Sequence, residues 1–374
     1  MTFWDFQASA RRRTWGLLAA FALLVLGIVA GVHLVLALVF WTPALVAVAF
    51  SSLRLEQVAV HYPAGFLATN VGIVTLMVLG GAWIKRSNLS QGGLHLAKQL
   101  GARAALPSVS HAEQQYLNIV DELCIASGAQ RPQAMVLPRD LSLNAFAAAW
   151  KAEDAVIVVS MGALNYLSRD ELKGVVAHEL SHLHEGDTRL NMELAGYVFG
   201  LEMLFNYGSD WVERGVSLFG RPLMAVGWLG WLAAQALKAA VSRQREYLAD
   251  ARALQWTRNP DGLGRVLRKA LWLQDYPLQA DALQPRAAAA GAYSPLVDHM
   301  LLLDVHSVEE MHDFWHLGGA RWLASHPTLE ERIARVYGEE EAREALPLQD
   351  AEQRWVNPFS APLPLGEPQA SPLR

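Results

Sequence analysis

The chain has 374 residues, of which 52% are hydrophobic and 18% charged, and its formal net charge is −5. Soluble domains carry about 25% charged residues, so this balance excludes a disordered chain or a coiled coil and fits a purely soluble protein poorly. The slight acidity gives no electrostatic footprint for nucleic acid. Cys124 is the single cysteine, so no internal disulfide forms and no oxidising compartment is required.

The apolar excess is concentrated at the N-terminus. Between Thr14 and Ser51 there is no Asp, Glu, Lys or Arg, and His33 is the only titratable side chain. A second charge-free run covers Pro63 to Trp83. A membrane-spanning helix needs about 20 apolar residues, and a cleaved signal peptide has a shorter core, so both runs are expected to be anchors. The first is either one long tilted helix or a tight pair broken near Gly31-Val32-His33. Arg11, Arg12 and Arg13 precede the first run, and Lys85 and Arg86 follow the second. The positive-inside rule then places both flanks in the cytoplasm and makes residues 1–86 an out-and-back hairpin.

From Ser87 the pattern becomes globular. Ala112 to Ala126 carries Leu117, Val120, Leu123 and Cys124 at helical spacing. Ala134 to Pro138 and the β-branched Ala155 to Ser160 read as strands. Asn144, between them, reads as a turn residue ending a strand unless other evidence gives it a role. Ser168-Arg169-Asp170-Glu171 is a capping box that opens a helix. The acidic, proline-rich residues 338–374 are expected to be a disordered tail.

The helix opened by Ser168 contains His178-Glu179-Leu180-Ser181-His182. Histidines at i and i+4 differ by about 40° around a helix, so both imidazoles leave one face. That spacing suits one tetrahedral Zn²⁺. Glu179 then lies beside the pair, where its carboxylate can act as general base toward a zinc-bound water. A catalytic site needs a third protein ligand. The metzincin pattern would place glycine at position 185 and histidine at 188, where Glu185 and Thr188 stand. The alternative is a carboxylate on a later helix. Glu246 and Asp250 share a helical face there, Glu246 suited to ligate zinc and Asp250 to accept a hydrogen bond from a ligand imidazole, His178 first. His299, His306, His312 and His316 match no compact site and read as structural or solvated.

His178-Glu179-Leu180-Ser181-His182 with Gly186-Asp187, then Arg245-Glu246-Tyr247-Leu248-Ala249-Asp250, resembles the M48 peptidases. This family includes HtpX-like bacterial membrane proteases and eukaryotic CAAX-processing proteases. Asn144-Ala145-Phe146-Ala147 looks like its edge-strand motif, and Ser325-His326-Pro327 with Glu330-Glu331-Arg332-Ile333 like its C-terminal motif. The resemblance implies a mainly α fold with a small β-sheet: transmembrane helical hairpins plus a gluzincin-type zincin domain over residues 87–337. It implies one Zn²⁺ per chain on His178, His182 and Glu246, with Glu179 the base. It places Asn144 on an edge strand that pairs with extended polypeptide substrates and His326 facing the metal as an oxyanion stabiliser. Asp187 and Arg243 are candidates for an ion pair behind the ligands.

Residues 192–240 form an apolar insertion between two of the ligands. Leu194 to Phe205 is interrupted only by Glu202, and Pro222 to Leu237 carries no formal charge. All three ligands must reach one ion, so this segment crosses the membrane an even number of times. Either both pieces span, giving four helices in all, or neither does and a helical hairpin rests in the interface, in contact with lipid. The expectation is a multi-pass zinc endopeptidase of the bacterial inner membrane, its catalytic domain cytoplasmic, acting on misfolded or surplus membrane proteins. A CAAX-type processing protease and a non-proteolytic scaffold are the alternatives.

Overall fold

In the computed structural model the described residues are 3–50, 64–89, 91–275 and 326–338, with the single positions 324 and 346. They are mainly helical around one small mixed sheet. In chain order the elements are α1 (Phe3–Phe50), α2 (Phe66–Leu89), α3 (Gly93–Gln99), β1 (Arg103–Ala104), α4 (His111–Ser127), β2 (Gln133–Leu137), β3 (Ala145–Ala148), β4 (Val156–Ser160), α5 (Met161–Tyr166), α6 (Arg169–Glu185), α7 (Asp187–Glu213), α8 (Ser217–Thr257), α9 (Pro260–Asp275) and α10 (Leu329–Tyr337). The four-histidine segment between residues 299 and 316 lies outside the described residues, as does the expected tail apart from Gly338 and Leu346.

These elements form two compact units. The first takes α1, α2 and residues 190–244 of α7 and α8. The first apolar run is one continuous helix with Pro43 inside it, and no break occurs at Gly31-Val32-His33. Neighbouring helices run antiparallel. His33 lies 3.5 Å from Asn70, and Phe40 packs on Phe66, so α2 descends beside α1. Further along α2, a Cβ at Gly200 would lie 2.3 Å from the Val78 carbonyl oxygen, and one at Gly196 would lie 3.1 Å from that of Ala82. Residues without side chains let α7 approach that closely. Gly208 meets the backbone of Met224 and Gly227 that of Phe205, which folds α8 back along α7. Ile28 over Gly230 and Val226 beside Gly31 return the packing to α1. Phe21, Val32, Val78, Leu201, Leu204, Leu223 and Ala234 fill the interior of this bundle. Among the described residues, three helices are long and apolar enough to cross a membrane, within Trp15–Phe50, Phe66–Ile84 and Ser217–Thr257.

The second unit is built on the sheet, in the order β1-β2-β4-β3. β2 and β4 are parallel, and β3 pairs antiparallel with β4 on the outside. The β-branched run Val156-Ile157-Val158-Val159 forms the fully buried inner strand. Ser110 caps α4 through the Glu113 N–H, and Gly128 ends it in the left-handed region. Ser168 accepts from the Glu171 N–H while the Glu171 carboxylate accepts from the Ser168 N–H, so α6 opens with a reciprocal cap. Val175, Val176, Ala177 and Leu180 bury α6 in the same core as Ile157, Val159, Leu263 and Val266. The close approach of α9 rests on Gly174, where a Cβ would sit 2.5 Å from the Leu263 nitrogen. α6 is therefore a buried central helix, and side chains displayed along it are held in place by the core.

Candidate metal centre

α6 carries His178 and His182 one turn apart, and α8 brings Glu246 against them. One ligand atom from each lies within 4.8 Å of the others. The two Nε2 atoms are 3.2 Å apart, and both sit 3.4 Å from an oxygen of Glu246. The opposite nitrogens are taken. His178 Nδ1 is 2.9 Å from Asp250, and His182 Nδ1 is 2.9 Å from Asp187. An imidazole that donates its Nδ1–H to a carboxylate presents its Nε2 lone pair elsewhere, and here both lone pairs face the same space as Glu246.

Two features show that a divalent cation fits. Glu246 Oε2 and both ring nitrogens of His326 are buried without a hydrogen-bond partner, although polar atoms with no access to water are ordinarily satisfied. The second is the chemistry of the donors. Two imidazoles and a carboxylate form a donor set suited to zinc.

Electrostatics follow from burial and these partners. Burial alone would lower the pKa of His178, but Asp250 and Glu246 outweigh it and raise the value. His182 is raised further, with Asp187 and Glu246 overcoming the same penalty. Burial pushes the Glu179 carboxyl up to about 7, against the pull of the two histidines. Arg332 would be lowered by burial, yet Asp250 and Glu246 hold its pKa above the ordinary value.

The remaining sequence candidates fall around this cluster. Asp250, one turn beyond Glu246, sits behind His178. His326 Nδ1 is 3.3 Å from Glu246 Oε2, on the segment that leads into α10. Asn144 immediately precedes β3, the edge strand. It is buried, and its Oδ1 accepts from the Ala145 N–H while Nδ2 has no partner. The Ser160 N–H donates to the Asn144 carbonyl, so alternation along the pair turns the backbone groups of Ala145 and Ala147 to the edge away from β4. The expected partner of Asp187 needs correction. Arg245 engages it, two residues beyond Arg243, because two residues turn a side chain by about 200° around α8.

Two residues of the cluster received no role from the sequence. Arg332 stands inside a quoted motif, and its guanidinium grips Asp250 through Nε at 2.9 Å and Nη2 at 2.7 Å. It also lies 3.5 Å from His178 Nδ1 and from Glu246 Oε2. Arg245 adjoins a ligand in the chain, but helical spacing turns it off the ligand face. No spacing rule places a side chain of α10 against one of α8.

The chain matches peptidase family M48 over residues 110–340. Among curated relatives, the protease HtpX homolog of Dictyoglomus turgidum is 34% identical over 227 residues, covering 59% of this chain and 67% of the relative. The protease HtpX homolog of Desulforapulum autotrophicum is 30% identical over 250 residues, covering 64% and 72%. That of Bacteroides fragilis is 33% identical over 180 residues, covering 45% and 56%. No solved structure matches the chain.

Proposed function

The chain belongs to peptidase family M48, and from that membership we propose that it is an integral membrane zinc metalloendopeptidase of the gluzincin type. The observation that carries this reading is the convergence of two imidazole nitrogens and the Glu246 carboxylate, with the outer nitrogens held by Asp250 and Asp187. His178, His182 and Glu246 would hold the ion. A bound zinc ion supplies Lewis-acid polarisation of the scissile carbonyl and lowers the pKa of the attacking water.

The other residues divide the remaining work. Glu179 accepts a proton as water adds to the carbonyl carbon, then delivers it to the amide nitrogen as the C–N bond breaks. Its burial favours this exchange, since a carboxyl near neutrality both takes and returns a proton. His326 donates toward the oxygen that gains charge. An extended substrate adds as a strand beside β3, the outer strand of the sheet, where main-chain groups recognise any sequence and Asn144 contributes its unpartnered amide nitrogen. Such recognition suits misfolded or surplus membrane proteins. We place the enzyme in the inner membrane of a bacterium, multi-pass, with the metal centre on the cytoplasmic side. Nothing in the sequence selects prenylated C-termini, and the full set of Glu179 and three ligand side chains counts against a non-proteolytic scaffold.

The test compares wild type, Glu179→Gln and Glu246→Ala in detergent, measuring casein cleavage and bound zinc in each. Glu179→Gln is expected to keep zinc and lose about 10²- to 10⁴-fold in rate, and Glu246→Ala to lose zinc. Full cleavage by Glu179→Gln would overturn the mechanism.

A further inference from the structure

His178 and His182 are each backed by an aspartate, and each aspartate by a buried arginine. The His182 side depends on the end of α6. An uninterrupted helix would turn residue 187 about 140° away from residue 182. Gly186 takes the left-handed conformation, φ 72°, closes α6 and starts α7 at Asp187. The turn brings the Asp187 carboxylate back over the His182 ring. Its two oxygens are divided: Oδ2 faces His182 Nδ1 at 2.9 Å, while Arg245 Nε and Nη2 both meet Oδ1. Arg245 Nη2 also donates to the Glu185 carbonyl at 3.2 Å, which fixes the guanidinium plane from outside the pair. Asp187 and Arg245 are both buried, so neither is held by solvent.

We infer that Arg245 is a positioning residue for the metal ligand His182, acting through Asp187, so that one stretch of α8 both supplies the ligand Glu246 and aims a ligand of α6. This rests on the zinc-centre reading above. Asp187 alone, on a glycine-hinged joint, retains torsional freedom, whereas the fork of Arg245 leaves Oδ2 pointing only at the imidazole. A competing role would be a simple tie between α8 and the end of α6. Arg252, two turns further along α8, makes such a tie to Glu185 at 2.8 Å without touching Asp187, and so provides the control.

The experiment uses the full chain in detergent. Zinc affinity is measured by competition with a chromophoric chelator, and site geometry by the visible absorption of the cobalt-substituted protein. Arg245→Met is expected to bind zinc about 10- to 100-fold more weakly with a changed cobalt spectrum. Arg252→Met is expected to stay within about threefold of wild type with an unchanged spectrum, even where its thermal midpoint falls. Asp187→Asn should weaken binding to the same degree, and adding Arg245→Met to it should weaken binding little further, since both act along one path. Arg245→Lys, which keeps the charge and loses the fork, should fall between wild type and Arg245→Met. It carries the test if Arg245→Met fails to fold. The inference fails if Arg245→Met or Arg245→Lys binds zinc as tightly as Arg252→Met, or if Arg252→Met loses as much affinity as they do. If wild type binds no zinc, or Glu246→Ala binds it as well, the zinc-centre reading fails and takes the inference with it.

Discussion

An imidazole has two nitrogens, and the environment of one decides what the other does. In both histidines of this cluster a carboxylate takes Nδ1 and leaves Nε2 to the shared space with Glu246. Arg332 completes the His178 side with a bidentate grip on Asp250. Its guanidinium is 1% exposed, so no water replaces either partner. Arg332→Met therefore leaves Asp250 buried with the His178 imidazole but without its guanidinium. Breaking a buried pair from one side destabilises by about 3–5 kcal/mol, and denaturant titration in detergent should show a loss of that order. Arg332→Lys should recover only part of it, because a point charge does not match both carboxylate oxygens. A loss below about 1 kcal/mol in Arg332→Met would mean that Asp250 finds another partner.

Elements show which parts of this arrangement are local. α6 was legible because its determinants lie within one helix: the reciprocal cap of Ser168 and Glu171, then two histidines at i and i+4. β4 was legible from four consecutive β-branched residues, and Asn144 pointed to β3 through family resemblance. Asp187 bonding Arg245 was not, because it depends on the φ of one glycine and on which face of α8 packs there. The grip of Arg332 on Asp250 joins residues 82 apart in the chain, and no local pattern encodes it. The same holds for the brace between α6 and α9, where Lys269 Nζ lies 2.7 Å from Glu171 with both side chains buried. Burial opposes ionisation of Glu171, but Lys269 overcomes it and holds the carboxyl below its ordinary range. A carboxyl whose pKa is lower folded than unfolded adds stability above the unfolded value and loses it as pH falls through the folded one. Glu171→Gln should thus destabilise by about 3–5 kcal/mol at pH 7. The gap to wild type should close as pH drops below about 4, read by thermal unfolding across a pH series. A gap independent of pH would assign the effect to packing.

At the scale of the whole molecule, the question is what the residues between His182 and Glu246 do in a membrane protein. The chain leaves the second unit after Arg189 and re-enters it at Arg245, so any crossings between them are even in number. α8 is apolar and long enough to cross, and α7 is not among the three helices that qualify. Within the first unit, though, α7 lies against α2 along Gly196 and Gly200, and α8 against α1 along Val226 and Gly230. These are faces of the two N-terminal helices, and Phe21 to Gly31 of α1, which meets Tyr197 of α7 and Gly230 and Val226 of α8, rises about 15 Å, roughly half of the ~30 Å of hydrocarbon. A hairpin resting flat in the interface would not run antiparallel to membrane-crossing helices, so we propose four crossings, where hydropathy counts three qualifying helices among the described residues. Glu202 opposes this, an exposed carboxylate part-way along α7, but the penalty for one intramembrane charge is a few kcal/mol and is offset by helix packing. Basic residues agree: Arg11, Arg12, Arg13, Lys85, Arg86, Lys238 and Arg243 flank one end of the bundle, against Arg214 and Arg221 at the other. A reporter fused after Arg86 should therefore read as cytoplasmic and one inserted near Asp210 as external. Glu202→Leu should leave both readings unchanged while strengthening insertion. A cytoplasmic signal at Asp210 would reduce α7 and α8 to an interfacial hairpin, and an external signal after Arg86 would invert the orientation and move the metal centre across the membrane.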